Sequence, residues 1–181
     1  MRVAFFTGAF PVFSKTFILD QITGLLRRGV EVDIFAPQPG QESYTPPEVA
    51  ERISYTLPSN TMKRLIRLPG ALWRLGKTQP RSLLDTLNLF HSGRGAFSTQ
   101  IPHEAAGLES ALTRLGRNDY DIIHAHFGPV GLRVLTLMDL GLISGKLITS
   151  FHAYGLSTFL KNRQPTIYDK LFKHGDLFLP I

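Results

Sequence analysis

The chain has 181 residues, of which 43% are hydrophobic, and it carries a net charge of +6. This length suits one domain with one core, and this composition argues against a disordered chain. The sequence contains no cysteine, which excludes disulfide bonds and thiolate metal sites. No apolar run reaches the roughly 18 residues that a membrane-spanning helix needs, and the apolar start is too short for a signal peptide. We therefore expect a soluble protein, or one attached only to a membrane surface.

In chain order, strand-like and helix-like segments alternate. Apolar runs predict strands at 2–7, 30–36, 52–57, 120–125, 146–151 and 177–181. Helical spacing predicts a first helix with apolar positions from Phe17 to Leu26, ended by Gly29. Further helices are predicted at 61–89 (broken by Pro69 and Pro80), 104–115, 131–140 and 166–173, whereas the Pro- and Gly-rich segment 38–47 is expected to be a loop. This alternation predicts an α/β fold with a mainly parallel sheet and right-handed crossovers.

Histidines stand at the ends of two successive predicted strands. His124 and His126 end one apolar run, and His152 ends the next. Ligands of parallel sheets bind where the strands end at their carboxyl edge, so we expect the three side chains to reach one crevice. His124 and His126 alternate with Ala125, which places both on one face of a continuous strand. A metal site is not expected, because no carboxylate stands at ligand spacing. The alternative for each histidine is an ordinary hydrogen-bonded side chain at the end of a strand.

The connection between the first strand and the first helix contains a second candidate site. Gly8 permits a close backbone approach, and Ser14 or Thr16 can cap the helix. A helix N-terminus after such a turn can bind an anion. The alternative is a purely structural turn, because the glycine fingerprint of dinucleotide-binding proteins is absent.

The positive charge is concentrated in residues 61–82. Six cations and no acid lie there, and without them the 14 remaining cations balance the 14 acids. Trp and Leu side chains lie between the cations, so the segment could lie on an anionic membrane through Lys63, Arg64, Arg67, Trp73 and Arg74. The alternative is one or two surface helices with solvated charges. No nucleic-acid partner is expected, because no binding motif is present.

Four segments, in this order, resemble group 1 (family 4) glycosyltransferases of the bacterial exopolysaccharide and colanic-acid type. They are FPVFSKTFI at 10–18 with Gln21, DIIHAHFG at 121–128, SFHAYG at 150–155 and GDLFLP at 175–180. The resemblance implies the GT-B fold, in which two Rossmann-like domains face each other across a cleft. Residues 1–181 would then be the N-terminal, acceptor-binding domain, a three-layer α/β/α sandwich. The apolar ending at Ile181 fits this interpretation, with a C-terminal nucleotide-sugar domain outside this chain.

The implied reaction moves a sugar from a nucleotide-sugar to a glycan or lipid-linked acceptor in polysaccharide biosynthesis, with retention at the anomeric carbon. No cofactor and no metal are expected, since the nucleotide-sugar is a substrate. The implied location is the cytoplasm. Any attachment to a membrane would be peripheral, at the inner membrane. The isolated chain is expected to be inactive, because the donor-binding half is missing.

The resemblance also implies roles for individual residues. His152 corresponds to the family's cleft histidine, which contacts the donor sugar or its phosphates, and is the expected catalytic residue. The backbone amides of Gly8 and Ala9 are expected to bind the donor phosphates. Lys15 stands where the family usually has Glu, which favours an acidic or phosphorylated acceptor. Acceptor contacts are expected from Ser14, Lys15, Thr16, His124, His126 and Tyr154.

Two other functions remain open at the level of sequence. The first is a different nucleotide-sugar enzyme such as an epimerase, which is disfavoured because the glycine fingerprint and a Tyr-x-x-x-Lys pair are absent. The second is a sugar- or lipid-docking module without chemistry of its own.

Overall fold

Six parallel strands form the centre of the fold. The computed structural model describes residues 1–12, 16–41, 45–57, 69–70, 73, 76–77, 80, 101–152, 161 and 165–181. Within these residues the strand order is β3-β2-β1-β4-β5-β6, and each neighbouring pair is parallel. The strands are β1 (Arg2–Phe6), β2 (Glu31–Ala36), β3 (Ile53–Tyr55), β4 (Asp119–His126), β5 (Ser144–Phe151) and β6 (Leu177–Pro180). The predicted α/β class and parallel sheet are confirmed.

Helices connect the strands. They are α1 (Thr16–Arg27), α2 (Pro47–Ala50), α3 (Ile101–Leu115), α4 (Gly128–Asp139) and α5 (Asp169–His174), the last preceded by a 3-10 turn at Pro165–Tyr168. The short α2 was not predicted. Most of the predicted helix at 61–89 lies outside the described residues. No helix in the described part of the chain is both long enough and apolar enough to span a bilayer.

Two apolar clusters on opposite faces of the sheet make the fold three layers thick. Val3 and Phe5 of β1 pack toward α1, in a cluster that includes Ile18 and Ile22. Ala4 and Phe6 of the same strand belong to the opposite cluster, which includes side chains of α3, α4 and α5. Successive side chains of a strand point to opposite faces, so a strand covered on both faces must be apolar throughout. This is why β1 reads as an uninterrupted apolar run.

Two glycines end helices as predicted. Gly29 follows α1 at a φ of 74°, and Gly116 follows α3 at a φ of 66°. Only glycine adopts this left-handed conformation without steric cost, so both residues are suited to release the chain from a helix into the next strand. Arg27 lies in the last turn of α1, where a cation interacts favourably with the helix dipole.

Ion pairs occupy the amino edge of the sheet. Arg2 contacts Asp119 at 2.9 Å, and Arg117 contacts Glu31 at 2.7 Å and Asp33 at 3.4 Å. These pairs join the starts of β1, β2 and β4. The carboxyl edge, at the other end of the same strands, is the place where a parallel sheet binds its ligands.

Candidate functional site at the carboxyl edge of the sheet

The turn after β1 is held by hydrogen bonds to neighbouring segments of the same chain. The Thr7 N–H donates to the Phe35 carbonyl at 3.2 Å, and the Phe10 N–H donates to the Gln38 carbonyl at 3.2 Å. The Tyr55 hydroxyl donates to the Phe10 carbonyl at 3.2 Å. These bonds attach the turn to the ends of β2 and β3 and to Gln38, which follows β2. The turn that contains Gly8 is therefore held on both sides by hydrogen bonds.

Gly8 and Ala9 form the middle of this turn. Gly8 is half-buried and Ala9 is exposed, and both follow the carboxyl end of β1. Helix α1 (Thr16–Arg27) follows shortly afterwards, and Thr16 is exposed. The other predicted residues of this connection, Ser14 and Lys15, lie outside the described residues.

The three histidines lie side by side on the face of the sheet that α1 covers. The rings of His124 and His126 stack with 4.3 Å between their centroids, as expected for residues two apart on a strand. Nδ1 of His126 lies 3.5 Å from Nε2 of His152, and these two rings are also stacked, with centroids 5.8 Å apart. The structure thus brings the predicted histidines together in one row, from His124 to His152.

His124 is a buried member of this row, and its surroundings shift its pKa. Its Nε2 lies 2.8 Å from the Ser150 hydroxyl, and the residue is only 6% exposed. Burial and, to a smaller extent, the neighbouring His152 together lower the pKa of His124 to about 4. Because this pKa lies well below 7, His124 is uncharged at neutral pH. A neutral imidazole has one donor and one acceptor nitrogen, so a single hydrogen lies between Nε2 and the Ser150 hydroxyl.

Aromatic side chains cover the row. Phe5 stacks on His126 from β1, with ring centroids 5.6 Å apart. Phe17, in the first turn of α1, lies 4.7 Å from the His152 ring, and Phe127 lies 4.6 Å from it. His126 is only 1% exposed under this cover.

Three side chains of the row and its cover reach the surface. His152 and Phe127 are half-buried, and Phe17 is 41% exposed. His124 and His126 are buried, so a molecule at this edge would meet His152 and Phe17 first. Sequence reasoning did not single out Phe17. Its position in the first helical turn after a strand, where a parallel sheet binds ligands, was the available signal.

The backbone between β4 and α4 is strained. Phe127 has a φ of 78° and a ψ of 137°, although it is not glycine. Such a conformation costs on the order of 1–3 kcal/mol and persists only where surrounding bonds impose it. Here the Phe127 N–H donates to the Ser150 carbonyl at 2.8 Å, and its carbonyl accepts from Val130 and Gly131. The strain holds the Phe127 ring against His152, and nothing in the sequence indicated it.

Of the remaining predicted site residues, the structure describes Trp73. It is 68% exposed, with the Lys77 ammonium 5.0 Å from its ring centroid. The others, which lie outside the described residues, are Lys63, Arg64, Arg67, Arg74 and Tyr154.

In the part of the chain that the structure describes, no three His, Asp or Glu side chains are arranged to hold a metal ion.

Comparison with known proteins identifies relatives of the whole chain. No protein-family model matches it. It is 33% identical, over its full length, to the putative colanic acid biosynthesis glycosyltransferase WcaL of Escherichia coli. It is 31% identical, again over its full length, to the amylovoran biosynthesis glycosyltransferase AmsK of Erwinia amylovora. The resemblance predicted from the sequence is confirmed. The chain spans 45% of the length of each of these glycosyltransferases.

A solved structure supports the fold. Sucrose-phosphate synthase from Thermosynechococcus elongatus superposes with a TM-score of 0.52 over 98% of this chain and 41% of its own length. The sequence identity is 11%, so this likeness concerns the fold alone. The Rossmann-like three-layer architecture expected for one half of a GT-B fold agrees with it.

Proposed function

We propose that this chain is the acceptor-side domain of a retaining glycosyltransferase of polysaccharide biosynthesis. The enzyme would transfer a sugar from a nucleotide-sugar to a glycan or lipid-linked acceptor. The observation that carries the proposal is the contact between Phe17 and His152, whose rings lie 4.7 Å apart. This contact joins the first turn of α1 to the end of β5. It brings a helix N-terminus, a half-buried histidine and an exposed aromatic ring to one place on the carboxyl edge.

This combination suits the departure of a nucleotide diphosphate. The leaving group gains negative charge as the bond to the sugar breaks, and preorganised donors at that charge lower the barrier. In our proposal the amides of Gly8 and Ala9 supply two such donors, and the positive end of the α1 dipole adds to them. His152 donates a further hydrogen bond to the donor sugar or its phosphates, and need not act as a general base.

The acceptor would lie on the same edge, with its sugar ring against the exposed face of Phe17. Ser14, Lys15, Thr16 and Tyr154 remain the proposed polar contacts to it. His124 and His126 are buried, so they would act on the acceptor from the layer beneath the surface of this edge. A second Rossmann-like domain, outside this chain, would bind the nucleotide and close the cleft. A lipid-linked acceptor would make attachment to the inner membrane useful.

Replacing His152 tests the proposal. His152→Ala in the full-length protein should lower kcat on the order of 10²-fold, the usual cost of one donor to a developing charge. Its unfolding midpoint should fall only slightly, because His152 is half-buried and its contacts with Phe17 and Phe127 lie at the surface of the fold. His174→Ala is the matched control, since His174 is exposed at the end of α5. Sugar transfer would be measured with a panel of nucleoside-diphosphate sugars. Full activity of the His152 variant would remove this residue from the reaction.

A further inference from the structure

A buried ion pair contacts the turn that follows β1. Arg133 lies in α4 and is 7% exposed, and Glu104 lies in the first turn of α3 and is 2% exposed. Nη1 of Arg133 is 3.1 Å from Oε1 of Glu104. The second terminal nitrogen, Nη2, donates to the Thr7 carbonyl at 3.4 Å. The guanidinium therefore joins two helices on one face of the sheet to the residue that precedes Gly8.

Stability does not account for this pair. Burying two opposite charges removes both from water, and the lost hydration commonly equals or exceeds their mutual attraction. Burial raises the pKa of the Glu104 carboxyl, and the charge of Arg133 only partly opposes this. Two apolar side chains of similar volume would fill the same space without that penalty. What an apolar pair cannot supply is an N–H donor directed at the Thr7 carbonyl.

The bond from Arg133 adds to the hydrogen bonds that hold the turn, and it acts on the peptide group that carries the Gly8 amide. The carbonyl of Thr7 and the N–H of Gly8 belong to one planar trans peptide group, so they point in opposite directions. Arg133 approaches the carbonyl from the protein interior. The N–H of Gly8 is thereby directed away from the interior. A charged donor on the carbonyl also polarises the peptide group and strengthens its N–H as a donor.

We propose that Arg133, oriented by Glu104, is a positioning residue that aims the Gly8 amide at the phosphates of the nucleotide-sugar donor. Arg133 does not touch the substrate. It acts through the Thr7–Gly8 peptide group, and Glu104 holds the guanidinium in the orientation that reaches Thr7. This inference rests on the proposed function, and it identifies a part of the donor site that lies on the opposite face of the sheet from the histidines.

Replacing both partners separates positioning from stability. The Arg133→Met and Glu104→Met double variant of the full-length protein keeps the volume of the pair but removes the donor to Thr7. We expect an unfolding midpoint equal to or above that of the wild type. We expect kcat with the nucleotide-sugar to fall roughly tenfold to a hundredfold, the range associated with one misplaced donor. The KM for the acceptor should not change.

Two further variants make the outcome decisive. The double variant Arg133→Gln with Glu104→Gln is also uncharged. Glutamine is shorter than arginine, so at position 133 it cannot reach the Thr7 carbonyl. It takes the place of the Met pair if that variant does not fold. The double variant Arg2→Met with Asp119→Met removes an exposed ion pair at the amino edge and should leave kcat unchanged.

The results distinguish this inference from the proposed function. Sugar transfer by the wild type together with an unchanged kcat in the folded double variant would overturn the role of Arg133 alone. A fall in kcat that follows a fall in the unfolding midpoint would also overturn it, because the pair would then be structural. Absence of transfer by the wild type with every nucleoside-diphosphate sugar would refute the proposed function itself.

Discussion

Acid should destabilise this fold through His124. The pKa of His124 is lowered from 6.5 to about 4 by burial and, secondarily, by His152. In the unfolded chain the same imidazole takes up a proton near pH 6.5. As the pH falls, the unfolded state therefore binds the proton first, and the folded state loses stability relative to it. The stability that the uncharged His124 contributes is fully present above pH 6.5 and is lost as the pH falls from 6.5 to about 4.

The magnitude follows from the difference between the two pKa values. Each pKa unit corresponds to about 1.4 kcal/mol, so His124 alone should remove about 3 kcal/mol of unfolding free energy over this range. That is a large share of the roughly 5–15 kcal/mol that stabilises a typical domain. The loss should be steepest near the middle of the range, at up to about 1.4 kcal/mol per pH unit.

Urea unfolding at several pH values between 7.5 and 4.5 measures this effect. His124→Gln keeps a donor for Ser150 but cannot take up a proton, so its stability should fall less steeply than that of the wild type. His174→Gln, at an exposed position, is the matched control and should follow the wild type. Parallel curves for the wild type and His124→Gln would refute the reasoning, because the acid sensitivity would then arise elsewhere.

Two further predictions concern packing and membrane attachment. A Cβ added at Gly107 of α3 would lie 1.9 Å from the Thr56 carbonyl oxygen, so Gly107→Ala should lower the unfolding free energy by about 3 kcal/mol. Gly24→Ala, whose Cβ would make only an ordinary contact at 3.4 Å, should leave it unchanged or raise it by up to about 1 kcal/mol in the same denaturant titration. The basic segment 61–82 should bind anionic vesicles at low salt and release them at high salt, since each engaged cation contributes about 1 kcal/mol and salt screens it beyond roughly 8–10 Å. Replacing Lys63, Arg64, Arg67 and Arg74 by Gln should abolish sedimentation with these vesicles, whereas equal binding to neutral vesicles would leave the segment an ordinary solvated surface.

Strands β1 and β2 and the second half of β4 could be predicted from the sequence because they are buried on both faces. Such strands must be apolar throughout, and turn residues bound them clearly. Helix starts were less predictable. Helix α4 begins at Gly128, three residues before the predicted start. A proline, Pro129, follows at the second helical position. Proline reads locally as a break, yet the first turn tolerates it because the missing N–H has no helical partner there.

The location of the site could be predicted, but its depth could not. Strand ends and the period of two residues were enough to group His124, His126 and His152. Whether a strand-end side chain is open to a ligand depends on what the next layer places over it. Here Phe17 of α1 covers the row, and only the assembled layers reveal that His126 is buried. The contact between Arg133 and Thr7 joins residues 126 positions apart, and no local pattern encodes such a pairing.

The distribution of energetic cost points to the carboxyl edge independently of any sequence similarity. At the amino edge, Arg2 and Asp119 form an exposed pair that contributes little. The buried carboxylate of Asp33 is paired there with Arg117 and accepts a hydrogen bond from Tyr120. The carboxyl edge instead combines three unfavourable features: a buried imidazole row, the buried charges of Arg133 and Glu104, and the strained backbone of Phe127. Selection for stability alone would not retain such features, because apolar side chains, or glycine at position 127, would cost less free energy. They occur together around one turn and one accessible histidine, His152. Local rules are broken most often where residues are retained for binding or catalysis, so this combination supports a functional site at the carboxyl edge.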